Sequence, residues 1–182
     1  MNKWMLYPDV LNVKLSEMLS KLRVFNSEDF QYPVNIAFLR NITIEPIIPF
    51  FQYACFKRGV STNIYTCDYD NIMQDILNEN SGLYEHDPKI IFIFIKLDQI
   101  ASKLCLQFSE LSPLEVSNHI NDVIDYYKVI LEALRSKTNA LIVLNTFEIR
   151  PYPSGGILDS QKIEGETNAI RRLNNEILLL LK

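Results

Sequence analysis

Cysteine, glycine, histidine and long apolar runs are all scarce in this sequence. Its three cysteines, Cys55, Cys67 and Cys105, are far apart and form no CxxC pair, which argues against a disulfide framework and favours reduced thiols. No apolar run approaches the ~18 residues of a membrane span, and the amino terminus lacks the uninterrupted apolar core of a secretory signal. We therefore expect a cytoplasmic protein without a membrane partner.

Basic charge is scarce as well. Lysine and arginine number 18 against 22 acidic residues, which gives a net charge of −4, and the basic residues are scattered. Such a chain offers no electrostatic footprint for nucleic acid, so we expect no nucleic-acid partner.

Several motifs are missing. The sequence contains neither GxGxxG nor GxxxxGK, so it has no dinucleotide or phosphate loop, and neither HxH nor HExxH accompanies its two histidines. No metal and no cofactor are expected.

What the sequence does contain is apolar segments in alternation with amphipathic ones. Hydrophobic residues make up 48% of the 182 residues, enough for a sizeable core. Runs without polar alternation, typical of buried parallel strands, occur at 34–39, 89–95 and 140–144, and an alternating stretch at 61–66 predicts one more strand. Helical spacing or helix-start signals occur at 8–24, 44–58 and 72–77, from Pro113 to about Leu134, and from Glu166 onward.

This order predicts an α/β domain with a parallel sheet of four or five strands, right-handed crossovers and helices on both faces. Residues 1–33 would form an extra helix and a connector, and residues 34–182 the α/β domain. Pro46 and Pro49 predict a late start or a kink in the helix after the first strand. No strand follows the last helix, so we expect the front part of a longer protein or a last strand supplied from elsewhere.

Polar residues follow the strands and would meet at the carboxyl edge of the sheet, where open α/β folds bind ligands. Arg40 suits a carboxylate or a phosphate, or else it pairs with Asp68 or Asp98. Asn41 and Thr43 either hold a ligand or cap the next helix. The Gly155–Gly156 pair either lets its loop turn or lets backbone N–H groups approach a ligand. The predicted ligand-binding residues are Arg40, Asn41, Thr43, Asp68, Lys96, Asp98, Asn145, Glu148 and Gly156.

No catalytic residue is predicted. His86 precedes the third strand and would lie at the opposite, amino edge, and His119 lies in an amphipathic helix. Cys67 ends a strand near the predicted site, but no histidine is placed to activate it.

Four strings in this chain resemble the amino-terminal region of FkbH-like proteins of the HAD superfamily, subfamily IIIC. They are IAFLRNITIEPI, YDNIMQDILNENSGLYEHDPKIIFIFI, VLNTFEIRP with a following glycine pair, and ETNAIRRLNNEI, and together they span about residues 34 to 178. The resemblance implies a three-layer, flavodoxin-like and SGNH-hydrolase-like sandwich that precedes a HAD-type phosphatase-like domain. It also implies a role in loading glyceryl or related acyl units onto acyl carrier proteins in polyketide and similar biosynthesis.

The SGNH motifs are incomplete here. The Gly-Asp-Ser motif falls on Leu39, Arg40 and Asn41, so an amide stands where the nucleophilic serine would be. In the Gly-x-Asn-Asp block only Asp98 matches, because Leu97 replaces the oxyanion-binding asparagine. The Asp-x-x-His block would lie beyond Lys182 or is absent.

The resulting hypothesis is a non-hydrolytic SGNH-like domain that binds an anionic or acyl ligand, an acyl carrier protein or an adjoining HAD domain. Two alternatives stay open: an acyl hydrolase or transferase that uses Thr43, Cys67 or a serine, and a scaffold that docks a neighbouring domain.

Overall fold

The four predicted strands form one sheet. A computed structural model describes residues 13–24 and 33–181. The strands are β1 (Pro33–Arg40), β2 (Ser61–Thr66), β3 (Ile90–Phe94) and β4 (Leu141–Leu144). All pairings are parallel and the order is β2-β1-β3-β4, which confirms the predicted all-parallel sheet. The interior place predicted for β3 is also confirmed.

Eight helices and two short 3₁₀ segments connect the strands in the described part of the chain. The helices are α1 (Leu15–Val24), α2 (Ile48–Phe56), α3 (Ile72–Leu77), α4 (Gly82–Glu85), α5 (Leu97–Ile100), α6 (Ser102–Leu106), α7 (Pro113–Lys137) and α8 (Glu166–Leu179), and the 3₁₀ segments are Phe108–Glu110 and Gly156–Gln161. The stretch from Ile100 to Leu111, which the sequence left ambiguous, thus contains the short helix α6 and a 3₁₀ segment.

The sheet separates two apolar cores, which makes the fold a three-layer sandwich. Alternate residues of β1 point to opposite faces, with Leu39 in one core and Phe38 in the other. The larger core includes buried residues of α3, α7 and α8. In the smaller core, Phe51 of α2 packs edge-on against Phe38, with their ring centroids 5.5 Å apart.

The long helix α7 begins as its sequence predicts. The Ser112 hydroxyl accepts a hydrogen bond from the Glu115 backbone N–H, and the Glu115 carboxylate accepts one from the Ser112 backbone N–H. This capping box satisfies donors that a helix start leaves unpaired. The inward residues predicted for α7 include Ile120, Val123 and Tyr127, and all three are buried.

Some predicted boundaries and faces are wrong. The chain makes an irregular connection after β1 before α2 begins at Ile48, so Ile47 lies in a turn and is exposed rather than on a helical stripe. Pro49 occupies the first turn of α2, where a missing N–H is tolerated, and this confirms the predicted late start.

Three leucines and one strand are also less buried than predicted. Leu77 is exposed because it ends the short helix α3, and Leu15 and Leu19 are exposed although Met18 between them is fully buried. β4 was predicted to be buried, but it lies at an outer edge of the sheet and its Leu141 is 60% exposed. Leu11 and the connector predicted at 26–33 fall outside the described residues, apart from Pro33.

Candidate functional site: a cleft at the carboxyl ends of β3 and β4

The amides of Asn41 and Asn145 join the ends of the strands. Asn41 is 1% exposed, and its Oδ1 accepts a hydrogen bond of 2.8 Å from the Lys96 backbone N–H. Asn145 Oδ1 accepts one of 2.9 Å from the Ile95 N–H, and its Nδ2 donates one of 3.0 Å to the Ile95 carbonyl. Both amides therefore lie at one edge of the sheet, beside the end of β3, and both hydrogen-bond the backbone.

These hydrogen bonds occupy the part of the sheet edge where a ligand would ordinarily bind. In a parallel sheet of order 2-1-3-4, strands are added on one side of β1 and then on the other, and this switch point between β1 and β3 is the usual ligand crevice. Here Asn41, which follows β1, is hydrogen-bonded to the end of β3 at this switch point, because its own N–H also donates to the Phe94 carbonyl. The open space lies farther along the edge, beyond β3 and β4.

Arg40 is held by its own loop. Its Nη1 donates to the Ile42 carbonyl at 3.0 Å, and its Nη2 forms an ion pair with Glu45. The expected partner, Asp68 or Asp98, is therefore wrong, because the loop after β1 folds back and brings Glu45 to the guanidinium. Tyr69 lies over the same group, with 5.9 Å between the Arg40 Cζ and the ring centroid.

Three other predicted ligand contacts also lie away from the open space. Thr43 and Asp68 are exposed in the loops after β1 and β2. Gly156 has φ +61°, a conformation that favours glycine, and its N–H donates to the Pro153 carbonyl. Of the two roles considered for the glycine pair, Gly156 fills the turning role in this structure.

The open space is a cleft of about 490 Å³ between the end of β3, α6, the end of β4 and the start of α8. Four of the predicted ligand contacts line it. Its lining comprises Ile42, Ile95, Lys96, Leu97, Asp98, Leu104, Cys105, Leu106, Asn145, Thr146, Phe147, Glu148, Arg150, Glu166 and Ile170. Apolar side chains dominate this lining, and charged groups are interspersed among them.

Most charges in the cleft are paired with one another. Lys96 Nζ lies 2.7 Å from Asp98 Oδ2, and this hydrogen bond raises the pKa of the Lys96 ammonium. Arg150 Nη1 lies 3.4 Å from Glu166 Oε1. Glu148 is exposed and has no ion pair among the described residues. The cleft therefore offers an anion no unpaired cation.

Glu166 is the most buried charge in the cleft. It is 2% exposed and stands in the first turn of α8, where the partial positive charge of the helix end stabilises a carboxylate. Its Oε2 accepts a hydrogen bond of 2.8 Å from the Ser154 N–H. One side of the cleft is thus fixed by a charged hydrogen-bond network.

The thiols and histidines form no nucleophile–base pair. Burial raises the pKa of the Cys67 thiol to about 11, and burial followed by the Asp98 charge raises that of Cys105. No histidine lines the cleft. His86 Nε2 lies 3.1 Å from the Asn63 carbonyl at the amino edge, as predicted, and His119 lies on α7 beside Asp122. Neither Cys67 nor Cys105 therefore has a described histidine beside it that could activate the thiol.

Sequence reasoning missed much of the lining. Leu104, Cys105 and Leu106 belong to α6, in the stretch that had no clear periodicity. Arg150 and Glu166 lie 16 positions apart in the chain, on either side of the loop, and only folding brings them together. The signal available was Glu166 itself, an acidic residue at a helix start.

The described residues form neither a metal-binding cluster nor a helix that could span a membrane. No group of three or more histidine, cysteine, aspartate or glutamate side chains in ranges 13–24 and 33–181 could hold a metal ion. Within the same ranges, no helix is both long and apolar enough to cross a bilayer.

The fold and the position of the cleft define an α/β domain of the flavodoxin-like type, with its open site at the carboxyl edge of a parallel sheet. The family described as FkbH, N-terminal domain, matches residues 50–182. The chain belongs to this family, which confirms the resemblance found in the sequence.

A solved structure has the same fold. It is the N-terminal part of a Bacteroides fragilis protein that contains a phosphatase domain, in complex with magnesium, and it superposes with a TM-score of 0.69 at 14% identity. The match covers 92% of this chain and 42% of that one, so this chain spans less than half of its structural neighbour. No curated protein matches the sequence.

Proposed function

We propose that this domain is a non-hydrolytic, SGNH-like binding domain of an FkbH-like protein. Its cleft would hold a glyceryl or similar acyl unit, together with the pantetheine arm of an acyl carrier protein, for an adjoining HAD-type phosphatase-like domain. The family match and the phosphatase domain in the structural neighbour support this setting. Free cysteines fit a cytoplasmic location.

The observation that carries the proposal is the chemistry of the cleft. Apolar side chains such as Leu104 and Phe147 suit the methylene groups of an acyl arm, while Asp98 and Glu148 could accept hydrogen bonds from its hydroxyl or amide groups. Because the cations are already paired, an uncharged ligand fits better than an anionic one. The absence of a histidine from the lining favours holding an acyl group over cleaving it.

Binding of S-glyceryl pantetheine, measured by isothermal titration calorimetry, tests the proposal. Thr146→Trp should weaken binding by about tenfold or more, because this exposed cleft residue would then fill the space of the ligand. Thr43→Trp is the matched control, since Thr43 is exposed at the same sheet edge but outside the cleft. Equal affinity of both variants and the wild type would overturn the assignment of the cleft.

The charge of the ligand gives a second measurement. Pantetheine and 4′-phosphopantetheine should bind with similar affinity, because the cleft has no unpaired cation that could bind the phosphate. A preference of about a hundredfold for the phosphorylated form would contradict an uncharged-ligand site.

Hydrolysis of a short-chain aryl ester separates binding from the alternative of an acyl hydrolase. The wild type should show no turnover above background. Turnover that a single Thr43→Ala or Cys67→Ala substitution abolishes would overturn the non-hydrolytic assignment.

A further inference from the structure

The loop between β4 and α8 exposes an unusual amount of apolar surface. Ile157 is 95% exposed, Ile163 92% and Tyr152 89%, and Leu158 and Ile149 are exposed as well. Single exposed apolar side chains are ordinary, but a group of them on one short segment marks an interaction surface. We refer to residues 149–163 as the apolar segment.

The apolar segment is held firmly from beneath. The buried Asp159 carboxylate accepts hydrogen bonds from the backbone N–H groups of Glu166 at 3.1 Å and Thr167 at 2.8 Å. Asn168 Nδ2 donates to the carbonyls of Ser160 and Lys162. The Asp159 carboxylate and the carbonyls of Ser160 and Lys162 thus bind α8 while the apolar side chains are exposed, and a pre-ordered surface loses little entropy when a partner binds.

The apolar segment also reaches the cleft. Arg150, near its start, lines the cleft, and its Nη1 donates a hydrogen bond to the Cys105 carbonyl in α6. The next residue of α6, Leu106, lines the cleft and is 72% exposed. A partner seated on the segment would therefore stand at the mouth of the cleft.

The charges around this surface indicate an acidic partner. Between residues 149 and 172, Asp159 and Glu166 are buried, and the remaining charged side chains are all exposed: Arg150, Lys162, Glu164, Arg171 and Arg172. Four of these five are cations, whereas the whole chain carries −4. Lys162 and Arg171 have no ion pair among the described residues.

We propose that the apolar segment and its flanking cations dock an acidic protein that delivers its prosthetic arm to the cleft. The inference rests on the proposed function for the choice of partner, an acyl carrier protein. Ile157, Ile163 and Tyr152 would pack against apolar groups of the partner, and Lys162 and Arg171 would face its carboxylates.

Titration with an apo acyl carrier protein, which lacks the arm and so cannot fill the cleft, tests the surface alone. The double variant Ile157→Ser/Ile163→Ser should lower affinity by about tenfold or more. Both side chains are exposed, so the fold should survive the change. Ile47→Ser is the matched control, because Ile47 is also exposed but lies after β1.

A charge variant tests the second element of the surface. Lys162→Glu/Arg171→Glu should slow carrier association by about tenfold at low salt, because charges at the rim of an interface steer encounter. Its affinity for S-glyceryl pantetheine should remain that of the wild type. Unchanged carrier association would refute the proposed role of these cations.

The remaining outcomes distinguish the docking surface from the cleft. Undiminished carrier affinity of the isoleucine double variant, or no carrier binding by the wild type, would overturn the docking surface even if pantetheine binds. If the wild type binds no carrier but self-associates in sedimentation, and the isoleucine double variant does not, the occupant is a second copy of this chain. If it instead binds phosphatidylcholine/phosphatidylglycerol vesicles, and the double variant does not, the occupant is a lipid surface. Carrier docking without any pantetheine binding would instead overturn the proposed function of the cleft and leave the surface standing.

Discussion

At the scale of the residue, the amides of Asn41 and Asn145 at the edge of the sheet bind the backbone at the end of β3. Asn41 is 1% exposed, and its Oδ1 accepts a hydrogen bond from the Lys96 N–H. A side chain so deeply buried is out of reach of a ligand. It stabilises the sheet across the switch point between β1 and β3.

We therefore expect Asn41→Ala to lower the free energy of unfolding by about 1–3 kcal/mol, because it leaves the Lys96 N–H without its partner. Urea unfolding followed by circular dichroism measures the change. Asn80→Ala is the control, since Asn80 is exposed and its side chain has no hydrogen bond in the described part of the chain. Equal stability of Asn41→Ala and the wild type would show that the amide has another role.

Cys67 gives a prediction about reactivity. Its thiol is 1% exposed and has a pKa of about 11, so about one thiol in a thousand is ionised at pH 8. Iodoacetamide should therefore modify Cys67 more slowly than the half-buried Cys55 and Cys105, as peptide mass spectrometry can measure, and its rate should rise as the pH approaches 11. Fast labelling of Cys67 near pH 7 would revive the hydrolase alternative.

Which side chains reach the carboxyl edge could be predicted from the sequence, but their partners could not. The strand ends alone bring Lys96, Asp98 and Asn145 to one place. The pairing of Arg40 with Glu45 depends on how an irregular loop turns back, and no periodicity encodes that. Glu45 follows Arg40 by only five positions, so the correct partner was near in the chain and was still missed.

At the scale of the element, the capping box of α7 links a short sequence signal to stability. Ser112→Ala removes the side chain that accepts the Glu115 N–H and should lower the free energy of unfolding by about 1 kcal/mol. Chemical denaturation at pH 7 measures this loss. Ser136→Ala, near the other end of the same helix, is the control and should change stability less.

The pH dependence of the same variant follows from Glu115. Hydrogen bonds from the Ser112 side chain and backbone lower the pKa of the Glu115 carboxyl in the folded state. Such a lowered pKa stabilises the folded protein at pH values above the pKa of Glu115 in the unfolded chain. This stabilisation is lost as the pH falls through the pKa of Glu115 in the folded protein. The difference in the free energy of unfolding between wild type and Ser112→Ala should therefore become smaller in acid. A constant difference down to about pH 3 would contradict the stabilising role of the capping box.

The bounds of elements with a strong local sequence signal were predicted well, but which of their side chains are buried was predicted less well. The bounds of β2, Ser61–Thr66, agree with the sequence prediction, and Gly59, with its positive φ, lies in the turn between α2 and β2. In α3, by contrast, Ile76 is buried as predicted and Leu77 is exposed. Which side of a short helix is covered depends on neighbours that are distant in sequence.

At the scale of the whole molecule, chain connectivity predicts an all-parallel sheet and limits the possible strand orders, although it does not choose among them. Parallel strands joined by helices need crossovers of one hand, and this rule leaves few topologies. It could not locate the cleft, because three lining residues come from α6 and others flank the loop before α8. The cleft is a property of packing between segments distant in the chain.

The place of α1 gives the last prediction. Met18 in α1 is fully buried, and Lys21 Nζ lies 5.9 Å from the centroid of the Tyr53 ring in α2, yet Met18 belongs to neither of the two cores that line the sheet. A chain that begins at Gln31 should therefore still unfold in one cooperative urea transition, with a free energy lower by about 2–4 kcal/mol. Met18→Ala in the full chain should lose a part of the same energy, and Ser20→Ala, on the exposed side of α1, should lose little. Loss of cooperative unfolding in the shortened chain would mean that α1 is integral to the domain, so that the boundary expected between residues 33 and 34 does not separate two parts.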